Sequence, residues 1–257
     1  MITFLIMLRD VLPYGIFKIL FGDRKKYGTR MEKDDPEFKY WTEKQFDFYS
    51  ENQTKGIGRF ISDWGYKVID KLDFYGKTVI ELGPGTLPHE KYIRRNSKPK
   101  KYIIADINRK FLLESSKKLT ALGIEVQEIE TDGVHISLPQ NSVDIVLSFY
   151  QLEHVYELSE HIKEIKRILS EDGYLAGAIP SEGGILWGIG RSLTTRPKAF
   201  KQGINYDKVI CWEHPNFCDR IIDELDKNFK RLEMRKYPVN FLPYDLSFIV
   251  RFIYKKM

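Results

Sequence analysis

The sequence predicts an α/β fold built around an open, mostly parallel sheet, and three observations predict it. From about Thr78 onward, short apolar runs alternate with stretches of helical periodicity. The first run, VIELGPGTL (79–87), is broken by Gly83-Pro84-Gly85 and leads into a helical stretch. Such a break puts bare backbone N–H groups at the carboxyl end of a sheet, where small ligands dock in open α/β folds. The second run, KYIIAD (101–106), ends in Asp106, at about the 20-residue spacing at which such sheets set a carboxylate beside ribose hydroxyls.

What the glycine loop lacks narrows the ligand. A dinucleotide fingerprint needs a third glycine three residues after the second, and that position is Pro88. A phosphate-cradling loop needs a Gly-Lys-Ser/Thr ending, which Leu87-Pro88-His89 does not supply. The loop therefore suits a nucleoside without a diphosphate, with Pro88 in the first turn of the next helix, where a missing N–H costs nothing. Glycines beside a proline also make plain turns, and Asp106 also suits an N-cap for the helix starting near Asn108. Both readings stay open for Asp106.

The remaining elements follow in order. Helical patterns span His89 to Asn96 and Asn108 to Leu122, the second with Phe111, Leu112, Leu119 and Leu122 on one face and Gly123 as its stop. EVQEIE (125–130) reads as a third strand ending in Thr131-Asp132-Gly133, and SVDIVLSF (142–149) as a fourth. Tyr156 to Leu169 is amphipathic, with Leu158, Ile162, Ile165 and Leu169 aligned, and Tyr174 to Ile179 is a fifth strand closed by Pro180. Pro215 to Asp226 reads as a helix, and Phe229 to Val239 and Leu246 to Tyr254 as the last two strands.

Four segments in this order resemble one family: VIELGPGTL, YIIADINRKFL, TDGVHISLPQNSVDIVLSFYQLEHV and EIKRILSEDGYLAGAIPSEGG, together spanning about Thr78 to Gly184. They are similar to the class I S-adenosylmethionine-dependent methyltransferases, in particular the small-molecule branch described as type 11. The resemblance implies a Rossmann-like seven-stranded sheet, helices on both faces, a C-terminal antiparallel hairpin, and S-adenosylmethionine across the carboxyl ends of the first four strands. It implies that Gly83 and Gly85 lie beside the methionine part and that Glu81 organises that end. Asp106 and the adjoining Ile107 would meet the ribose, Asp132 and Gly133 the adenine edge, and Ser148 and Phe149 the methionyl group.

At 257 residues the chain suits one domain with additions; we divide it into an N-terminal helical extension and lid (1–74) and a donor-binding domain (75–257) with a substrate cover at 181–212. Apolar content of 42% and charged content of 30% exclude wholesale disorder. The formal net charge of +5 is spread along the chain, so nucleic acid is not the expected partner. Cys211 and Cys218 form no metal-binding pair and suit a reduced, cytoplasmic setting; no metal is expected.

Met1 to Gly22 is strongly apolar but interrupted by Arg9, Asp10, Pro13 and Lys18, which argues against a spanning helix. It reads as a helix pair packed on the domain, or as an interfacial segment at the inner membrane face with Arg24, Lys25, Lys26 and Arg30 toward anionic headgroups. Asp34 to Phe74 is rich in aromatic residues, most of them core contacts, with Tyr40, Tyr49 and Arg59 as candidates for substrate contact. In related methyltransferases this region covers the donor and excludes water.

Ser181 to Trp212 shows little periodicity and carries Arg191, Arg196, Lys198 and Lys201; loops of this length are usually functional or disordered. We read it as the cover, with Arg191 or Arg196 on a phosphate. Replacing Arg196 by Ala is then expected to weaken acceptor use and spare donor affinity. A sulfonium methyl is already activated, so a base matters only for an acceptor that must lose a proton. The candidates are His154 in QLEHV, and Glu213 and His214 in WEHP; Asp144 is structural. The Thr194-Thr195-Arg196-Pro197 run, CWEHPN and the apolar N-terminus resemble methyltransferases of surface-polysaccharide assembly. That implies a sugar hydroxyl on a nucleotide- or lipid-linked precursor. A lipid, quinone or amine acceptor, or a non-enzymatic binding protein on the same fold, are the rivals. Ser148-Phe149-Tyr150-Gln151 lacks the Asn-Pro-Pro-Tyr pattern of base N-methylation.

Overall fold

Four of the apolar runs are buried nearly end to end, as strands covered on both faces must be. The computed structural model describes residues 7–32, 34–54 and 56–257; Ile2, Phe4, Leu5 and Ile6 of the apolar N-terminus lie outside the described residues, as does the Tyr49 side chain. In chain order the first helices are α1 (Tyr14–Phe21), α2 (Arg24–Tyr27), α3 (Pro36–Thr54) and α4 (Gly56–Tyr66). Then come β1 (Thr78–Leu82), α5 (Glu90–Arg95), β2 (Lys101–Asp106), α6 (Arg109–Ala121), β3 (Val126–Glu130), β4 (Val143–Phe149), α7 (Leu158–Ile168) and β5 (Leu169–Pro180). The chain closes with α8 (Ile185–Leu193), α9 (Thr195–Lys201), α10 (Tyr206–Glu213), α11 (Cys218–Asn228), β6 (Phe229–Tyr237) and β7 (Ile249–Lys256).

The seven strands form one sheet in the order β3-β2-β1-β4-β5-β7-β6. Strands β1 to β5 pair in parallel, and β7 runs antiparallel between β5 and β6. The order reverses between β1 and β4, the position at which open α/β sheets offer a crevice. Register makes that crevice a shared edge: Leu82 pairs with both Ala105 and Ser148, and Asp106 pairs with Glu130, so the turns after β1, β2, β3 and β4 emerge side by side.

Helices cover both faces. Leu158, Ile162 and Ile165 of α7 and Ile221 and Leu225 of α11 pack in one cluster with Ile80, Ile103 and Val146 of the sheet. Ile93 of α5 and Leu112 and Leu119 of α6 pack in another with Val79, Ile104 and Leu147. A third, smaller cluster joins Trp41 and Phe48 of α3 to Val209, Ile210 and Trp212 of α10, so the aromatic N-terminal region and the helices after β5 share a core of their own.

The structure departs from the periodicity in two places. The stretch after β5, aperiodic in sequence, folds into α8, α9 and α10. Helix α8 contains Gly188 and Gly190, poor helix formers; Gly188 lies where a Cβ would come within 3.0 Å of Leu20 and Phe21, so close packing against α1 stabilises the helix. Pro88 does not enter a helix: Gly85 and Leu87 take positive φ, the loop makes an extra turn, and α5 begins at Glu90. The described part of the N-terminus packs on the domain through buried Met7 and Phe21, and the buried Arg9 guanidinium lies 2.6 Å from Asp219. Among the described residues, no helix is long and apolar enough to cross a membrane.

Candidate functional site

A cavity of about 510 Å3 opens where the four parallel strand ends emerge, a volume that suits a nucleoside-sized ligand with room beside it. A second cavity, of about 640 Å3, lies at the opposite edge of the sheet, near Lys77, Asp144 and Tyr174. Its charges are matched locally, Lys77 with Asp144, Lys71 with Glu233 and Lys255 with Asp172, so we place the site at the first.

The floor begins at the glycine turn. Gly83 has φ +64°, and a Cβ there would lie 2.5 Å from the Gln151 side chain, so no other residue fits without displacing that side chain. Its N–H is not bare as expected: it donates to the Ala105 carbonyl (2.8 Å), tying the turn to β2. Gly85 has φ +56°, and Ser115 of α6 donates to its carbonyl (2.8 Å). Glu81 is fully buried beneath the turn, where it accepts from the Tyr102 hydroxyl (2.7 Å) and lies 2.9 Å from His89 Nε2. The His89 ring stacks on Tyr66 at 4.6 Å and leans on Phe149 at 5.1 Å, so one aromatic wall fixes the carboxylate and lines the cavity.

Asp106 borders the same cavity, and burial pushes its carboxyl up to about 6. Its Oδ1 accepts the Asn108 N–H (2.7 Å), while the Asn108 side chain caps α6 by accepting from Lys110 N–H (3.0 Å). The N-cap is thus Asn108, and Asp106 braces the turn before it. Exposed Ile107 and half-buried Phe111 continue this wall. Opposite, Asp132 Oδ1 accepts the Val134 and His135 N–H groups (2.9 and 3.3 Å), and these hold its carboxyl below the usual carboxylate range. Gly133 has φ +85°, and its carbonyl lies 2.6 Å from Nδ1 of His161, whose burial lowers its pKa and keeps the ring neutral. Phe149 borders the cavity, but Ser148 does not: it is buried, and its hydroxyl donates to Gln151 Oε1 (3.1 Å).

The roof comes from distant segments. His154 borders the cavity, its Nδ1 2.6 Å from the Glu213 backbone carbonyl and 3.6 Å from the Glu213 carboxylate. A carbonyl only accepts, so Nδ1 carries a proton, and the neutral tautomer consistent with this contact has its lone pair on Nε2. Glu213 accepts from Trp41 Nε1 (2.7 Å) and Gln45 Nε2 (3.3 Å), both of α3, so it holds the histidine rather than lying loose in the cavity. Trp212, Met31, Arg30 and Tyr156 complete the roof, with the Arg30 guanidinium over the Tyr156 ring and paired with Glu157 at the mouth.

Several expected site residues are not brought there. His214 lies behind His154, its ring edge-on at 4.5 Å, with Nδ1 on the buried Glu182; burial lowers its pKa and raises that of Glu182. Arg191 is buried and donates to the carbonyls of Leu20 (3.0 Å) and Ile19 (2.8 Å), closing the end of α1. Arg196 makes a two-pronged pair with Asp207 (2.8 and 2.6 Å). Tyr40 donates to the Gln202 carbonyl (2.9 Å), and Arg59 is exposed on α4; neither borders the cavity. Conversely, His89, Gln151, Gln45, Arg30 and Tyr156 line it without having been singled out as ligand contacts. Gln151 and Tyr156 flank His154 within QLEHVY, which is a local signal; Gln45 and Arg30 carry none. Among the described residues, no three or more His, Cys, Asp or Glu side chains are grouped to hold a metal ion.

Residues 80–177 match the family model of a methyltransferase domain. The fold is similar to that of a SAM-dependent methyltransferase from Aquifex aeolicus (16% identity, 82% of this chain and 97% of that one, TM-score 0.53). It is also similar to a putative S-adenosylmethionine-dependent methyltransferase from Listeria monocytogenes (17% identity, 76% and 98%, TM-score 0.54). The [4+2]-cyclase SpnF is similar to the same degree (14% identity, 84% and 92%, TM-score 0.56), and at these identities the likeness is one of fold. No curated protein matches the chain. Residues 80–177 thus carry a methyltransferase domain, and the domain and fold together support an S-adenosylmethionine-dependent methyltransferase.

Proposed function

We propose that the protein transfers the methyl group of S-adenosylmethionine to a hydroxyl of a small polar acceptor, a sugar or glycan precursor, with His154 as the base. The observation that carries this reading is the Glu213 carbonyl on His154 Nδ1, which sets the tautomer with a basic Nε2 in a ring bordering the cavity. An amine acceptor needs no such group, because its own lone pair attacks; a hydroxyl must lose its proton as it attacks. The polar mouth of Arg30, Gln45 and Tyr156 suits a sugar better than a quinone.

The residues present fit the donor. Asp106 has one oxygen fixed by Asn108 and its carboxyl pushed up to about 6 by burial, an unfavourable desolvation that hydrogen bonds from two ribose hydroxyls would relieve. Asp132 and Gly133 would meet the adenine edge, the Gly83-Pro84-Gly85 turn and Glu81 the methionine part, and Phe149 and Ile107 the apolar sides. When bound, the donor supplies a methyl on a sulfonium, activated for in-line displacement. The chain does the rest: it orients the acceptor beneath Trp212 and Tyr156, excludes water with α3 and α10, and takes the hydroxyl proton at His154 Nε2. Glu213, 3.6 Å from the opposite nitrogen, stabilises the imidazolium that results.

The test is a titration with S-adenosylmethionine followed by product analysis over nucleotide sugars, lipid-linked sugars, quinones and amines. Methylated sugar whose formation depends on His154 is the expected result; transfer to an amine, unaffected by His154→Ala, overturns the reading.

A further inference from the structure

The outer face of the roof carries a surface that methyl transfer does not use. Helix α1 packs on α8 so closely that Gly188 touches Leu20 and Phe21, and Arg191 and Ser192 of α8 both donate to the Ile19 carbonyl. This contact buries Phe21 and turns the opposite sides of both helices to solvent. Those sides are apolar: Ile16 is 48% exposed, Ile19 51%, Ile189 43% and Leu193 75%, with Val11 before α1 and Phe200 on α9 continuing the patch. Aliphatic side chains this exposed, on adjoining helices, are unusual for a surface with no partner.

The charges around the patch select the partner. Lys18, Lys25 and Lys201 are exposed among these residues. Of the neighbouring acids, Asp207 is paired with Arg196, and Asp23, held by the Tyr14 hydroxyl, stands among Lys18 and the exposed Lys26, so cations outnumber acids there. We infer that the α1–α8–α9 face docks on an anionic lipid surface, with Ile16, Ile19, Ile189 and Leu193 entering the headgroup–acyl boundary and the lysines meeting the headgroups. A symmetric contact with a second copy would set these lysines against their own counterparts, and nucleic acid offers nothing to the aliphatic side chains. The face adjoins the site through α2, which packs on α10 and leads to Arg30 and Met31 at the cavity mouth.

The experiment is flotation of the full chain with vesicles of phosphatidylcholine alone or with about a third phosphatidylglycerol. The wild type is expected to float with the anionic vesicles and to lose that binding as salt rises. Ile16→Glu combined with Leu193→Glu should lower partitioning on the order of a hundredfold, because it puts charge where two apolar side chains enter the bilayer. Leu113→Glu, at an exposed leucine on α6, should leave it unchanged. Donor titration reads folding independently, since none of the three positions borders the cavity. Failure to float, flotation indifferent to the double substitution, or a dimer in analytical ultracentrifugation that the double substitution dissolves would each overturn the inference.

Discussion

The floor and the roof of the cavity are built on opposite plans. The floor consists of turns that leave β1, β2, β3 and β4 within a sheet whose register is set by strands buried on both faces. Gly83, Asp106 and Asp132 sit within a few residues of a strand end, so placing the strands places them. The roof is assembled from segments far apart in the chain, Trp41 and Gln45 on Glu213 (172 and 168 residues away) and His154 on the Glu213 carbonyl (59 residues away), over a core much smaller than those flanking the sheet. The floor can hold its shape without ligand. The roof, with fewer buried apolar contacts, is the part from which opening for substrate is expected. The difference predicts that donor binding and acceptor chemistry are separable by mutation.

The sharpest break between the two comes at His154. His154→Ala should lower kcat by on the order of 10²–10⁴-fold and leave donor affinity unchanged, measured by single-turnover kinetics and by calorimetry. Gly83→Val should do the reverse: its φ of +64° and the Gln151 contact penalise a branched side chain by roughly 1–3 kcal/mol, a ten- to hundredfold loss of donor affinity in titration.

Asp106→Asn is expected to weaken the donor roughly tenfold, the loss of one charge-assisted pair. In the wild type, donor affinity should rise as pH increases through about 6, where Asp106 ionises and becomes a full acceptor, and the Asn variant should lose that rise. Stability without donor has the opposite sign. The folded carboxyl titrates above its ordinary 3.8, so between about 3.8 and about 6 the folded state keeps a proton that the unfolded chain releases, and stability from this group falls as pH rises. Thermal unfolding across that window, wild type against Asn, isolates the contribution.

The smallest effect belongs to Arg196→Ala. With its guanidinium already on Asp207 and partly solvated, removal should cost no more than about 1 kcal/mol of stability and change kcat/KM less than about twofold. A large loss of acceptor use would return Arg196 to the site and erase the contrast drawn here.

How much of this was legible in sequence follows the same division. The run KYIIAD occupies β2 residue for residue, and SVDIVLSF overshoots β4 by one, because a strand buried on both faces announces itself as an unbroken apolar run. Ser148 misled in detail: it ends a strand as expected, but the side chains of a strand alternate, and its hydroxyl turns to Gln151. Arg191 and Arg196 misled for another reason. A guanidinium in an aperiodic stretch looks available for phosphate until the fold supplies the Ile19 and Leu20 carbonyls and Asp207.

By itself, the order of residues determined the parallel sheet, the glycine turn and the two acidic turns beside it, since each rests on backbone geometry and on neighbours within a short stretch. Only the tertiary structure decided that His154 faces the cavity while His214 is packed behind it, that Trp41 and Gln45 of α3 hold the Glu213 carboxylate, and which cations are already paired. Those outcomes depend on contacts between α3, α10 and the turn after β4, and long-range packing of short helices leaves no periodic trace in the chain.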